Sequence, residues 1–403
     1  KFCARSKPLE DLARMFVRPS FRVQPTIKCS SKSTIKPQNV WSNRARKFHT
    51  TMTPRIASNV GSLKEPVDDE KKDIRILITG SLGQIGTELA NILRKKYGRN
   101  NVIASDVKVA PHDFLKQGPY VYLNVLNLED FSRTVVDYNI NWIVHNTSIL
   151  SAAGERDPQF AINLNINGIQ NALEVSRRYG LRIFAPSSIA AFGPTTPKVN
   201  TPDLTIMRPS TIYGVSKVYL ELLGLYYHKR YDVDFRSLRY PGIISSETLP
   251  GGGTTDYAVE IFYEALKHGK YTSFLSKDSE LPMMYMPDCL KATQNLLEAA
   301  PETLTERVYN VNGCSFTPEQ IAKQIQKYMP TFQISYKPDF RQSIADSWPR
   351  SLDDTLAKKD WGWQPDYSLD AMTVDMLIKL REKLKQKDPN VKLEPLTNIS
   401  LQQ

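Results

Sequence analysis

Short apolar runs alternate with longer stretches of helical spacing along most of this chain. Arg75–Thr79 (RILIT) is a run of branched apolar residues without polar alternation, the pattern of a strand covered on both faces. Behind it Ile85, Leu89, Ile92 and Leu93 recur at helical spacing, which predicts a helix over Gln84–Tyr97. Val102–Asp106, Val121–Leu123, Trp142–His145, Arg182–Pro186 and Phe235–Arg239 read as further strands, with helices over 127–138, 158–179 and 210–230 between them. Regular strand–helix alternation predicts an α/β fold, a parallel sheet wound with helices on both faces.

Charge changes the picture at one end only. Of the 403 residues, the first 60 hold 13 basic and 2 acidic side chains, and the rest carries 40 of each. The net charge of +11 therefore belongs to a leader on a neutral body. A neutral body argues against nucleic-acid binding, which needs a basic face. From Met15, a candidate start, to Val60 there is no acid among many Arg, Ser and Thr, the composition of a mitochondrial transit peptide. Residues 61–72, with four acids and a proline, read as a linker, and 387–403 as a flexible tail whose Asn398-Ile399-Ser400 glycosylation match is accidental. No apolar run reaches the roughly 18 residues of a membrane-spanning helix, so no membrane insertion is expected. Cys3, Cys29, Cys289 and Cys314 are too scattered for a disulfide framework, and no Cys/His cluster suggests a metal.

The first strand runs into Gly80-Ser81-Leu82-Gly83-Gln84-Ile85-Gly86. Glycines at a strand-to-helix turn suit a dinucleotide: Gly80 turns the chain, Gly83 admits a pyrophosphate, and Gly86 lets the helix lie close on the strand. Gln84 and Ile85 open the helix whose free N–H groups face the phosphates. Asp106 ends the second strand 20 residues on, where a carboxylate meets the adenosine ribose and repels a 2′-phosphate; NAD is favoured over NADP. Lys108 nearby softens that repulsion.

Tyr213 and Lys217 stand four apart on a predicted helix and share a face. An ammonium beside a phenol is expected to lower the phenol's pKa and make it a base for a substrate hydroxyl. Spacing alone is weak, since Tyr263 and Lys267 repeat it. What separates the pairs is Ser187-Ser188, hydroxyls at the end of a strand and 25 residues upstream of Tyr213 from Ser188; Leu238 holds that offset from Tyr263.

The glycine turn, the serine and Tyr-x-x-x-Lys together resemble the extended short-chain dehydrogenase/reductase superfamily over about residues 73–385. Arg239-Tyr240-Pro241-Gly242-Ile243, Pro250-Gly251-Gly252-Gly253-Thr254-Thr255-Asp256, Leu281-Pro282-Met283-Met284-Tyr285, Ser347-Trp348-Pro349 and Asp360-Trp361-Gly362-Trp363 look like the short-chain type of L-threonine 3-dehydrogenase. The resemblance implies a Rossmann-type NAD domain at 73–245 and a smaller, mainly substrate-binding lobe at 246–386. It also implies oxidation of the L-threonine C3 hydroxyl to 2-amino-3-oxobutyrate, in the mitochondrial matrix, by a homodimer paired through the Tyr213-bearing helix. A glycine C-acetyltransferase would be a functional partner. Ser188, Tyr213 and Lys217 would be catalytic. Asn124 and Val125, Asn165, Ser187, Tyr240, Pro241 and Ile243 would meet the cofactor, Asn124 standing where the superfamily usually has Asp. Ser151, Gly252, Thr254, Thr255 and Trp348 would join Ser188 and Tyr213 around the substrate. The rival readings are a sugar-nucleotide epimerase or dehydratase on the same fold and a redox sensor that kept only the dinucleotide site.

Overall fold

The computed structural model describes residues 74–248 and 253–397. The expectations for 1–60, 61–72, Gly252 and Asn398 therefore lie outside the described residues. The chain runs β1 (Ile76–Thr79), α1 (Gln84–Tyr97), β2 (Val102–Asp106), α2 (His112–Leu115), β3 (Tyr120–Tyr122), α3 (Leu128–Asp137), β4 (Trp142–His145), α4 (Ser151–Arg156) and α5 (Pro158–Ile162). It continues through α6 (Gly168–Tyr179), β5 (Arg182–Phe184), β6 (Ser187–Ser188), α7 (Ile212–Tyr231), β7 (Phe235–Tyr240), β8 (Gly242–Ile244), α8 (Tyr257–His268), β9 (Lys270–Ser273) and β10 (Leu281–Tyr285). The last elements are α9 (Met286–Glu298), β11 (Val308–Asn310), β12 (Cys314–Phe316), α10 (Pro318–Tyr328), β13 (Gln333–Tyr336), α11 (Arg341–Ser347), α12 (Thr355–Trp361) and α13 (Leu369–Lys387).

The central sheet has the order β3-β2-β1-β4-β5-β7-β11, with β6 also on β7, and every pairing is parallel. Side chains of a strand alternate between faces, so β1 feeds two cores. Leu77 packs with Phe131, Ile169 and Leu173 under α3 and α6. Ile76 and Ile78 pack with Leu89, Leu93 and Leu290 under α1 and α9. A third core, with Phe262, Leu266, Phe316, Ile325 and Leu380, joins α8, α10 and α13 to the small sheet β12-β10-β8. The α/β fold expected from the alternation is the fold found. Strand order reverses between β1 and β4, which opens a crevice beyond their carboxyl ends.

Three local expectations change. The strand expected at Val121–Leu123 sits one residue earlier. The helix expected over 158–179 is broken by a wide π turn at Asn163–Asn167 that carries Asn165 into the interior, at 7% exposure. The tail expected to be flexible is anchored as far as it is described. Glu394 N donates to Leu266 O (2.8 Å), Thr397 N to Tyr328 O (2.8 Å), and Arg381 Nη1 to Glu394 O (2.7 Å). Leu393 and Leu396 pack on the third core, an apolar pair that the composition of this polar segment had masked.

Candidate active site

One cavity of about 260 Å³ opens at the reversal of strand order. Its floor is the turn after β1. Gly80 has φ +64, and a Cβ there would stand 2.9 Å from Thr147 N, so both its handedness and its neighbour exclude a side chain. Gly83 caps α1 with no side-chain bond and no acid follows in the first turn, which leaves the helix's positive end open. A Cβ on Gly83 would meet only Gly80 O, at 3.2 Å, because its other side is free space. Gly80, Gly83, Gln84, Ile85 and Gly86 all line the cavity. Asp106 does not line the cavity but is held against the glycine turn, where Oδ2 accepts from Leu82 N (3.2 Å) and Oδ1 from Val107 N (2.8 Å). Free helix N–H groups beside a bare glycine turn, with a carboxylate beyond, fit a dinucleotide.

The opposite wall carries the candidate chemistry. Thr211 caps α7 by accepting from Gly214 N (3.1 Å). A Cβ on Gly214 would come within 2.2 Å of Ala190 O, so glycine lets α7 press against the turn after Ser188. Tyr213 and Ser188 are thereby placed on the same cavity wall. Lys217, one turn on, lies over the Tyr213 ring, 5.3 Å from its centroid, and donates to Pro186 O (2.7 Å). The three side chains line one cavity.

The expected lowering of the Tyr213 pKa is not seen. Burial pushes the phenol up to about 12, with the nearby Ser188 hydroxyl opposing. The ammonium lies over the ring and is committed to a carbonyl, so it does little for the phenolate oxygen. Burial brings Lys217 down to about 8, against the pull of Glu221. By contrast, Tyr263 and Lys267 repeat the stacking at 5.6 Å on α8 but line a separate surface groove.

Glu221, the next turn of α7, supports this wall from behind. It is 1% exposed and accepts from Ser187 Oγ (2.5 Å) and from Arg239 Nε and Nη2 (2.9 Å each). Arg239 also donates to Asp203 O and Asn310 Oδ1. Asn165 holds the loop after β4, accepting from Ile149 N (2.8 Å) and donating to Ile149 O (3.0 Å) and Ser216 Oγ (3.1 Å). It lines a small cavity behind Lys217 and not the main one. His145 lines the same small cavity, with Nδ1 3.0 Å from Thr79 Oγ1, and burial drives it down to about 3, a neutral ring.

Ser151, Ser187, Tyr240, Pro241, Ile243, Thr254, Thr255 and Trp348 reach the main cavity. The Tyr240 ring packs in the core and its hydroxyl pairs with Thr293, so that hydroxyl is turned from the site. Asn124 and Val125 do not line the cavity: Asn124 Oδ1 caps its own turn at Leu126 N (3.1 Å), and Val125 is buried under α6. Lining residues not anticipated include Asn146, Ser148, Pro186 and Asp256. Asn146 and Ser148 follow β4, and their place at a strand's carboxyl end beside the switch point was a usable signal. Glu221 was also within reach, four residues beyond Lys217. Among the described residues no three His, Cys, Asp or Glu side chains gather as a metal site.

A profile of the NAD dependent epimerase/dehydratase family matches residues 76–312. The chain belongs to this family. Within it, the chain is 51% identical over 304 residues to the mitochondrial L-threonine 3-dehydrogenase of Bos taurus, covering 75% of this chain and 82% of that protein. The crystal structure of L-threonine dehydrogenase from Phytophthora infestans superposes with a TM-score of 0.75 at 57% identity, over 77% of this chain and 99% of that one. That of the Clostridium difficile enzyme gives 0.76 at 49% identity, over 77% and 98%. The extended short-chain dehydrogenase/reductase resemblance is thereby met.

Proposed function

We propose that the protein oxidises the C3 hydroxyl of L-threonine to 2-amino-3-oxobutyrate with NAD. One observation carries the chemistry: a phenol with an ammonium over its ring shares with a serine hydroxyl the cavity floored by the glycine turn. Gly80, Gly83, Gln84 and Ile85 would hold the pyrophosphate, Asp106 the adenosine ribose, and Lys217 the nicotinamide ribose. Oxidised NAD, when bound, would supply an acceptor for the hydride leaving C3. Ser188 orients the C3 oxygen and Tyr213 takes its proton. A phenol held near 12 is protonated at neutral pH, so little phenolate is present to take a proton. Positive charge brought by a bound cofactor would lower that value. Thr254, Thr255 and Trp348 from the 246–386 side, with Ser151 of the 73–245 domain facing them, would hold the amino acid. Bound geometry, more than any single group, lowers the barrier.

The test is NAD reduction over L-threonine, L-allo-threonine, L-serine and D-threonine, with sugar nucleotides alongside. NADH made from L-threonine is the expected result. Sugar nucleotide turnover without net NADH would replace the proposal with the epimerase reading.

The finer assignments follow from the same reading. The basic leader, acid-free from Met15 to Val60, directs the enzyme to the mitochondrial matrix, where a glycine C-acetyltransferase would consume a product prone to decarboxylation. Fusion of residues 1–60 to a fluorescent protein tests the address, and a diffuse signal refutes it. The outer face of α7 exposes Val215 (45%), Leu222 (58%) and Tyr226 (52%), an apolar strip suited to pairing two copies. Leu222→Arg should give a monomer in sedimentation; a wild type already monomeric sinks the dimer.

A further inference from the structure

The geometry points to Lys198 as a positioning residue of the substrate site, one that holds Trp348 in the cavity wall by gripping the end of the helix before it. The inference rests on the substrate reading above and deepens it.

Lys198 belongs to neither wall of the main cavity. Its ammonium donates to three main-chain carbonyls, Ser347 O (2.6 Å), Trp348 O (3.2 Å) and Gly193 O (3.4 Å). Two of these belong to the end of α11, where carbonyls have no intrahelical partner and the helix dipole is negative. A lysine from another part of the chain thus serves as the C-terminal cap of α11. The third carbonyl, of Gly193, lies just past the short Ile189–Ala191 turn capped by Ser188, whose Oγ accepts from Ala190 N (3.2 Å). One side chain therefore ties the Ser188 segment to the Trp348 segment, which the chain separates by 160 residues.

The backbone repeats the tie. Arg350 N donates to Lys198 O (2.7 Å), Thr201 N to Ser351 O (3.0 Å) and Asp353 N to Thr201 O (3.0 Å), with Thr201 bridged to Leu352. Trp348 itself is 7% exposed and stands between two cavities. On one side it lines the site with Ser188, Tyr213 and Thr254, and on the other it faces a polar pocket with Asp278, Gln342 and Arg350. A partition of that kind sets the volume left for a small zwitterion. Its placement depends on the backbone just behind it, because a tryptophan has only two side-chain torsions with which to compensate. Removing the ammonium frees both α11 carbonyls and lets the partition drift toward the second pocket.

The test is a double-mutant cycle of Lys198→Met and Trp348→Phe in the full chain, with kcat and KM measured for L-threonine and for NAD. Lys198→Met should raise the L-threonine KM roughly 10-fold, with kcat changed less than about 3-fold and the NAD KM unmoved. In the Trp348→Phe background the same change should add less than about 2-fold, since the partition is already altered. A lowered unfolding midpoint with an unchanged L-threonine KM, or fully additive effects, overturns the inference and leaves Lys198 a packing residue. Should Lys198→Met fail to fold, Lys198→Arg is read instead. Its planar fork cannot meet three converging carbonyls, and a KM equal to wild type would overturn the inference. Wild-type enzyme that reduces no NAD with L-threonine would remove the functional reading first, so the two failures are distinct.

Discussion

Replacing Glu221 with Gln removes one charge from the most deeply buried ion pair near the site. Glu221 is 1% exposed and Arg239 4%, so water cannot replace what is lost. The wild-type carboxylate receives three hydrogen bonds, one from Ser187 and two from Arg239. With a neutral amide there, at least one donor faces another donor, and the guanidinium keeps its charge. Asp203 cannot take over, because its carboxylate stands 3.8 Å from Arg239 Nη1 and its Oδ1 already accepts from Asn310 N. Stranding a buried charge in this way costs about 3–5 kcal/mol. Calorimetric unfolding should then fall by roughly 4–7 °C, because the large unfolding entropy of a chain this size dilutes each kcal/mol. Glu221→Leu with Arg239→Met, which removes both charges, should regain most of that loss. An exposed pair offers the control: Lys116 and Asp113 are paired at 3.0 Å with side chains 62% and 88% exposed, and Asp113→Asn should move stability by less than about 0.5 kcal/mol. The reasoning is refuted if Glu221→Gln is as mild as that control, or if the double variant is as damaged as the single losses summed.

Tyr213→Phe should lower kcat by roughly 10²-fold or more while the NAD KM stays within a few-fold, as expected for losing acid–base help alone; comparable activity in steady-state assays would dismiss the phenol. Asp106→Ala should raise the NAD KM and narrow the preference over NADP, and an unchanged ratio of the two KM values would discard the ribose assignment. Burial holds Lys217 near 8 in the fold against an ordinary 10.5. Between those values the unfolded chain binds the extra proton, so stability of the cofactor-free protein should rise with pH through that window. Lys217→Met should flatten the rise in unfolding midpoints, and an identical slope in the variant would show that another group titrates.

The central sheet was legible because each of its strands announces itself by composition. Ile76–Thr79 has no polar break, and a run buried on both faces needs none. Gly80, Gly83, Ser188, Tyr213 and Lys217 were legible through spacing, which the local geometry of a turn or a helix converts into neighbours. What escaped depends on distant segments. Asn165 was expected beside the cofactor, but a π turn shifts it behind Lys217, and no local pattern marks that extra residue. Glu221 and Arg239 look like ordinary surface charges until the fold brings them together from α7 and β7. The Tyr213 pKa was misjudged because burial, a property of the whole cavity wall, outweighs one neighbouring ammonium.

The anchored stretch after α13 has a practical side for anyone preparing this enzyme. Trimming the gene at Lys387, which its polar composition invites, would strip Leu393 and Leu396 from the face they cover and leave the Leu266 and Tyr328 carbonyls to water. Affinity handles are better joined beyond Thr397 than in place of this belt. Equal melting of the trimmed and untrimmed proteins would show that the belt contributes nothing.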